Sequence, residues 1–87
     1  MSTYHLTIST PDGNKFSGDV TRLLVRGTEG DLAVLAGHIP FATAVIACDI
    51  KVELPDGAVL TAPAEGGILT VGETEVVLLS SGIDDLK

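Results

Sequence analysis

Apolar and polar residues alternate with a period of two over most of the chain. Tyr4, Leu6 and Ile8 interleave with His5, Thr7 and Ser9, which predicts a strand with one buried face. Thr10-Pro11-Asp12-Gly13-Asn14 then supplies turn chemistry: Pro sets φ, Asp hydrogen-bonds the local backbone and Gly accepts positive φ. A second strand through Phe16 is expected to pair back on the first. Val20, Leu23 and Val25 continue as a third, in which Leu24 is an apolar residue that the alternation leaves unexplained. From Phe41 to Leu54 there is no glycine or proline, and helix competes with strand. Ala42, Ala44 and Ala47 favour helix, whereas Thr43, Val45, Ile46, Ile50 and Val52 are β-branched. The alternation Ile50, Val52, Leu54 decides for two strands with a bend near Ala47-Cys48-Asp49. Pro55-Asp56-Gly57 repeats the first turn and closes a hairpin onto Val59-Leu60-Thr61. Gly66-Gly67 opens a strand from Ile68 to Val71, and Gly72-Glu73-Thr74 turns it into Val76 to Ser80.

Short strands punctuated by turn residues about every 8 to 12 positions imply an all-β protein. The expected fold is a flattened β-sandwich of about 8–10 short, mostly antiparallel strands. It occupies residues 1–82, and 83–87 form a short polar C-terminal tail.

The stretch from Gly27 to Ala44 carries three glycines and a proline, which break its apolar run into pieces too brief for a helix. Glu29, Asp31 and His38 fall on the punctuated parts, where side chains are exposed. Leu32, Val34, Ile39 and Phe41 are the expected inward residues. A loop region carrying acid, imidazole and apolar groups together suits contact with another surface.

Composition narrows the partner. The 87 residues make one small domain with 45% hydrophobic residues, and only Tyr4, Phe16 and Phe41 are aromatic. The core is therefore built from Val, Leu, Ile and Ala, and some apolar surface is expected to face a partner. A formal charge of −7 argues against a nucleic-acid backbone or an anionic membrane as ligand. The single cysteine, Cys48, excludes an intrachain disulfide. The N-terminus lacks signal-peptide character, and no apolar run approaches the roughly 18 residues that span a bilayer. The expectation is a soluble, cytoplasmic protein with no direct lipid insertion.

Catalytic and ligand chemistry find little support. His5, His38, Cys48 and the scattered acids form no nucleophile–base motif. His5 and His38 share no metal-ligand spacing, and Glu29-Gly30-Asp31 lacks the rest of a calcium loop. Gly66-Gly67 enters no helix, so it reads as a bulge or a close strand approach instead of a phosphate loop. Glu29 and Asp31 read either as solvated turn acids or as contact residues, and His38 either as a turn cap or as a contact.

Glu29-Gly30-Asp31-Leu32, followed by Gly37-His38-Ile39-Pro40 and Thr43-Ala44, resembles the N-terminal signature of the epsilon subunit of F-type ATP synthase. Tyr4-His5-Leu6 with Phe16-Ser17-Gly18 upstream, and Gly66-Gly67-Ile68-Leu69-Thr70-Val71 downstream, extend the resemblance from Tyr4 to Gly82. Ala33, Ala36 and Ala47-Cys48 stand where the family commonly has glycine, proline and a Pro-Gly pair. The resemblance implies a non-catalytic central-stalk subunit, peripheral on the inner face of the energy-transducing membrane, that bridges the gamma subunit and the c-ring. It implies c-ring contact through Glu29, Asp31 and His38, and gamma contact through Thr10, His38, Thr43, Glu65 and Thr70. The family usually continues into a pair of C-terminal helices. No helix follows Ile83-Asp84, so neither ATP binding nor restraint of hydrolysis is expected of this chain, and no cofactor is implied. A free-standing β-sandwich that binds a small ligand or peptide at its loop end is the alternative, and a small hydrolase a more distant one.

Overall fold

The structure is a computed structural model that describes residues 2–37, 39–84 and 86. Its nine strands are β1 (Tyr4–Thr10), β2 (Gly13–Val20), β3 (Arg22–Gly27), β4 (Gly30–Leu35), β5 (Phe41–Val45), β6 (Cys48–Glu53), β7 (Val59–Ala64), β8 (Gly67–Val71) and β9 (Glu75–Ser80). They form one continuous sheet in the order β2-β1-β9-β8-β5-β3-β6-β7, with β4 on β3. All pairings are antiparallel except β1 with β9. The sheet folds over itself where β5 meets β3, a junction made by the pair Gly27 and Val45 and by the Ile46 N–H donating to the Arg26 carbonyl at 2.9 Å. One layer is β2-β1-β9-β8-β5 and the other is β4-β3-β6-β7.

The inward faces follow the alternation. Leu6, Ile8, Val20, Leu69, Val71, Val76 and Leu78 from the first layer meet Leu23, Val25, Val34, Ile50, Val52, Ala62 and Ala64 from the second. Each aliphatic chain larger than alanine gains about 1.5–3 kcal/mol by burial, so an almost purely aliphatic core suffices for a chain of this size. Tyr4 is the buried aromatic, and it ties the layers together: its hydroxyl donates to the Val34 carbonyl on β4 at 2.7 Å. Burial pushes the Tyr4 phenol well above its ordinary value of 10.0, with a hydrogen bond from the Leu23 backbone acting weakly in the other direction.

Gly66 and Gly67 are required by the fold. Gly66 has φ +98, and a Cβ there would lie 2.6 Å from the Val45 carbonyl oxygen. At Gly67 a Cβ would run into the Leu79 carbonyl. The expected close strand approach is thus what these glycines serve. Beside them the buried Ser80 hydroxyl donates to the Gly66 carbonyl at 2.8 Å, lies 2.9 Å from the Gly82 carbonyl and accepts from the Gly82 N–H at 3.3 Å. Ile83, which the boundary drawn from sequence leaves to the tail, is buried and bridged to Ala64. Asp84 N–H donates to the Pro63 carbonyl at 3.2 Å, so contacts with the sandwich continue past Gly82.

Three expectations change. Val20 closes β2 and does not start the third strand, because the chain bends at Thr21, whose N–H donates to the Glu53 carbonyl at 2.9 Å. Leu24 is half-buried on the outer side of β3. Ile39 is 82% exposed and Phe41 37%, so neither is a core residue. Ile39 stands in the β4–β5 connection, outside the ladders, and Phe41 begins β5 opposite Val71 at the rim of the sheet, where an apolar side chain has less of the opposing layer to bury against.

Gly67→Ala is expected to destabilise the protein by about 3 kcal/mol or more, since backbone must move to admit the methyl group. Gly57→Ala, with φ +93 and open space around its Cβ, is expected to cost only about 1–2 kcal/mol. Urea unfolding of the two variants tests the order. Tyr4→Phe is expected to cost about 1–3 kcal/mol by leaving a buried carbonyl unsatisfied. Because folding holds the phenol protonated, the wild-type contribution is full below about pH 10 and is lost as pH rises above it. The alkaline loss of stability is expected to be shallower in Tyr4→Phe.

Candidate interaction surfaces

The outer side of the first layer is free of ionisable groups over two neighbouring rows. Ala44, Ile68, Leu79, Ser9 and Asn14 make one row, and Ala42, Thr70, Val77, Thr7 and Ser17 the next. Ile68 and Leu79 are directly opposite each other, 56% and 53% exposed. In a chain of net charge −7, two uncharged rows that expose two large aliphatic side chains side by side stand apart from the charged remainder of the surface.

Charge returns at the end of that face. His5 lies opposite Asp19 on β2 and Glu75 on β9. Its Nε2 is 3.0 Å from the Ser17 hydroxyl and its Nδ1 is 3.7 Å from an Asp19 carboxylate oxygen. Sequence reading missed this cluster, because cross-strand register brings its members together. It has the order of a hydrolytic triad but not the geometry. A separation of 3.7 Å is too long for the hydrogen bond that orients a catalytic imidazole, and the three side chains lie on an open strand pair.

The outer side of the second layer is charged. Arg22 pairs with Glu53, and Arg26 Nε donates to Asp31 at 2.8 Å across the β3–β4 ladder. Asp31 raises the Arg26 pKa, first through that hydrogen bond and then through its charge. A groove of about 380 Å³ runs along this side, lined by Leu24, Val25, Arg26, Asp31, Cys48, Asp49 and Lys51. A second hollow of about 570 Å³ at the same end of the sandwich is lined in part by Asp12, Glu65, Gly82 and Asp84.

The residues singled out from sequence are not all brought together. Glu29 and Asp31 are exposed at the β3–β4 hairpin tip. His38 lies outside the described residues. Thr70 is at the centre of the uncharged face, and Thr10 ends β1, its hydroxyl accepting from Asp12 N–H at 3.3 Å. Glu65 is exposed in the bend before β8. Thr43 is half-buried and pairs with the inward Leu69, whereas Ala42 pairs with Thr70, so Thr43 and Thr70 face opposite sides of the sheet. Among the described residues no group of three or more His, Cys, Asp or Glu could hold a metal ion. Among the described residues no helix is long and apolar enough to cross a membrane.

An uncharged face, a charged groove and an acidic hairpin tip on a two-layer frame define a β-sandwich with two chemically distinct outer sides. The chain belongs to the family described as ATP synthase, Delta/Epsilon chain, beta-sandwich domain, which matches residues 3–83. Among its relatives, the sodium-ion-specific ATP synthase epsilon chain of Acetobacterium woodii is 33% identical over 82 residues, covering 94% of this chain and 62% of the relative. The ATP synthase epsilon chain of Rhodopseudomonas palustris is 38% identical over 80 residues, covering 92% and 58%. The chain thus spans about three fifths of the length of these relatives. In fold it is similar to a chain of the Euglena gracilis mitochondrial ATP synthase OSCP/F1/c-ring structure, with a TM-score of 0.90 at 22% identity over 97% of this chain and 54% of that one. A chain of the Tetrahymena thermophila central stalk and c-ring structure matches with a TM-score of 0.78 at 13% identity, covering 97% and 67%.

Proposed function

We propose that this chain is a non-catalytic rotor subunit of a proton-translocating ATP synthase, joining the gamma subunit to the c-ring so that ring rotation is coupled to ATP synthesis. The observation that carries the reading is the uncharged face centred on Thr70, Ile68 and Leu79. It suits the flank of a shaft: burying the exposed halves of Ile68 and Leu79 is worth about 1 kcal/mol each, and no charge has to be desolvated. Glu65 at one end of this face extends the gamma contact, while Thr10, on the side of β1 shared with the inward Leu6 and Ile8, and Thr43, turned to the other side of β5, contribute less. Glu29 and Asp31 at the hairpin tip meet the ring, where partner loops carry basic residues. A close-packed sandwich transmits torque because its interior deforms little. This reading gives the chain no catalytic group, cofactor, metal or nucleotide, and places it in the cytoplasm, peripheral on the inner face of the coupling membrane.

Ile68→Glu and Leu79→Glu are each expected to reduce retention of the gamma subunit at least tenfold in a pull-down at low salt, with an unchanged melting temperature. Val59→Glu is the control, since Val59 is 49% exposed on the opposite layer. Equal loss in all three variants would remove the face from the interface. Asp31→Lys is expected to weaken attachment to the ring without unfolding the domain, and a parallel fall in melting temperature would make Asp31 structural instead.

A further inference from the structure

Strand β2 is an edge of the first layer. Among the described residues it pairs only with β1, so the backbone groups along its other side point away from the sheet. Asn14, Lys15, Ser17 and Asp19 are exposed along it, while Phe16 and Gly18 are half-buried opposite the inward Ile8 and Leu6. Nothing within the chain requires a glycine at position 18. Its backbone takes no left-handed φ, and a Cβ there would meet nothing closer than the Phe16 ring, at an ordinary 3.6 Å. A glycine inside a strand weakens it, and its usual reason is the close approach of something from outside. The charges on this edge are also poorly matched. Among the described residues Lys15 has no ion pair, and Asp19 has only the 3.7 Å approach of His5.

We infer that this edge receives the same edge of a second copy of the chain, β2 running antiparallel to β2 about a two-fold axis at Ser17. In that register Lys15 of each copy stands opposite Asp19 of the other, and Phe16 of each copy opposite Gly18 of the other. The two ion pairs and the two ring-on-glycine contacts follow from one symmetry operation, because the sequence of the strand is complementary to its own reverse. Sliding one strand by two residues sets Lys15 against Ser17, or Ser17 against Asp19, and loses the match. Sliding by four sets lysine against lysine or aspartate against aspartate, and an odd slide turns inner residues to the outer face. Edge charges and the irregularity beside Ser9 ordinarily keep a strand from pairing at random. Here the same charges admit one register of one partner and reject other strands. The inference concerns the free chain and does not depend on the rotor reading, since β1 lies between this edge and Leu79, and β1 and β9 between it and Ile68.

Sedimentation velocity of the full chain at rising concentration tests this. A reversible dimer is expected at roughly 0.1–1 mM chain and low salt, as suits a small interface made by strand addition, and salt is expected to weaken it. Lys15→Asp and Asp19→Lys are each expected to weaken self-association about tenfold or more at an unchanged melting temperature, because each sets like charges opposite one another twice. Mixed in equal amounts, the two variants are expected to recover a dimer within about threefold of the wild type, since every cross-strand pair is then of opposite sign. Gly18→Val is expected to abolish the dimer by filling the place of the opposing ring, again without lowering the melting temperature. A chain that stays monomeric up to about 1 mM overturns the inference, and so does a mixture that stays monomeric while both variants keep their melting temperature. A dimer that survives all three substitutions, or one that only Ile68→Glu removes, overturns it in favour of contact through another surface.

Discussion

A sheet of this many strands in so short a chain can bury an apolar face only by folding onto itself, and beside the fold line Gly66 and Gly67 have no room for a side chain. Gly27 pairs with Val45 at the turn-over, Gly66 packs under the Val45 carbonyl and Gly67 under the Leu79 carbonyl. These contacts bring backbone against backbone. They let β5 serve the first layer while touching β3 of the second, and everything else depends on that geometry: the meeting of the two inner faces, the Tyr4 hydroxyl reaching Val34, and the gap beside β3 that becomes the groove. Ser80 supports the same corner by satisfying the Gly66 and Gly82 backbone groups inside an otherwise apolar interior.

With both inner faces committed to the core, the outer faces are free to differ, and they do. One carries small, hydroxyl-bearing and aliphatic residues, the other alternates cations with acids. A two-sided wedge of this kind can grip one partner by burial and orient on another by charge, interactions with different distance and salt dependence. Membership of the ATP synthase delta/epsilon β-sandwich family is consistent with that division. The buried faces keep the wedge stiff, which is what the proposed rotor role asks of it.

Strand identities and turns were legible because period-two alternation and Pro-Asp-Gly chemistry are local. The errors came where locality ends. Ile39 and Phe41 look like core residues in any pattern of hydrophobicity, yet they lie at a rim where the second layer has stopped. Which side of the sheet Thr43 and Thr70 face is likewise not local, since the β5–β8 register sends them to opposite sides. The cluster of His5, Ser17 and Asp19, and the pairing of Arg26 with Asp31, join residues whose spacing in sequence carries no helical or metal-ligand signal.

The chain by itself determined an all-β protein, most residues of its core and the Glu29-Gly30-Asp31 turn, since alternation and turn propensity act over a few neighbours. Which strands become neighbours was decided only in three dimensions. That choice made the parallel β1–β9 pair, joined Ile68 to Leu79, and opened the groove beside Arg26. The physical reason is that a strand presents the same hydrogen-bonding edge to any partner. Pairing is settled by how the whole apolar surface closes, and surface function follows from the pairing.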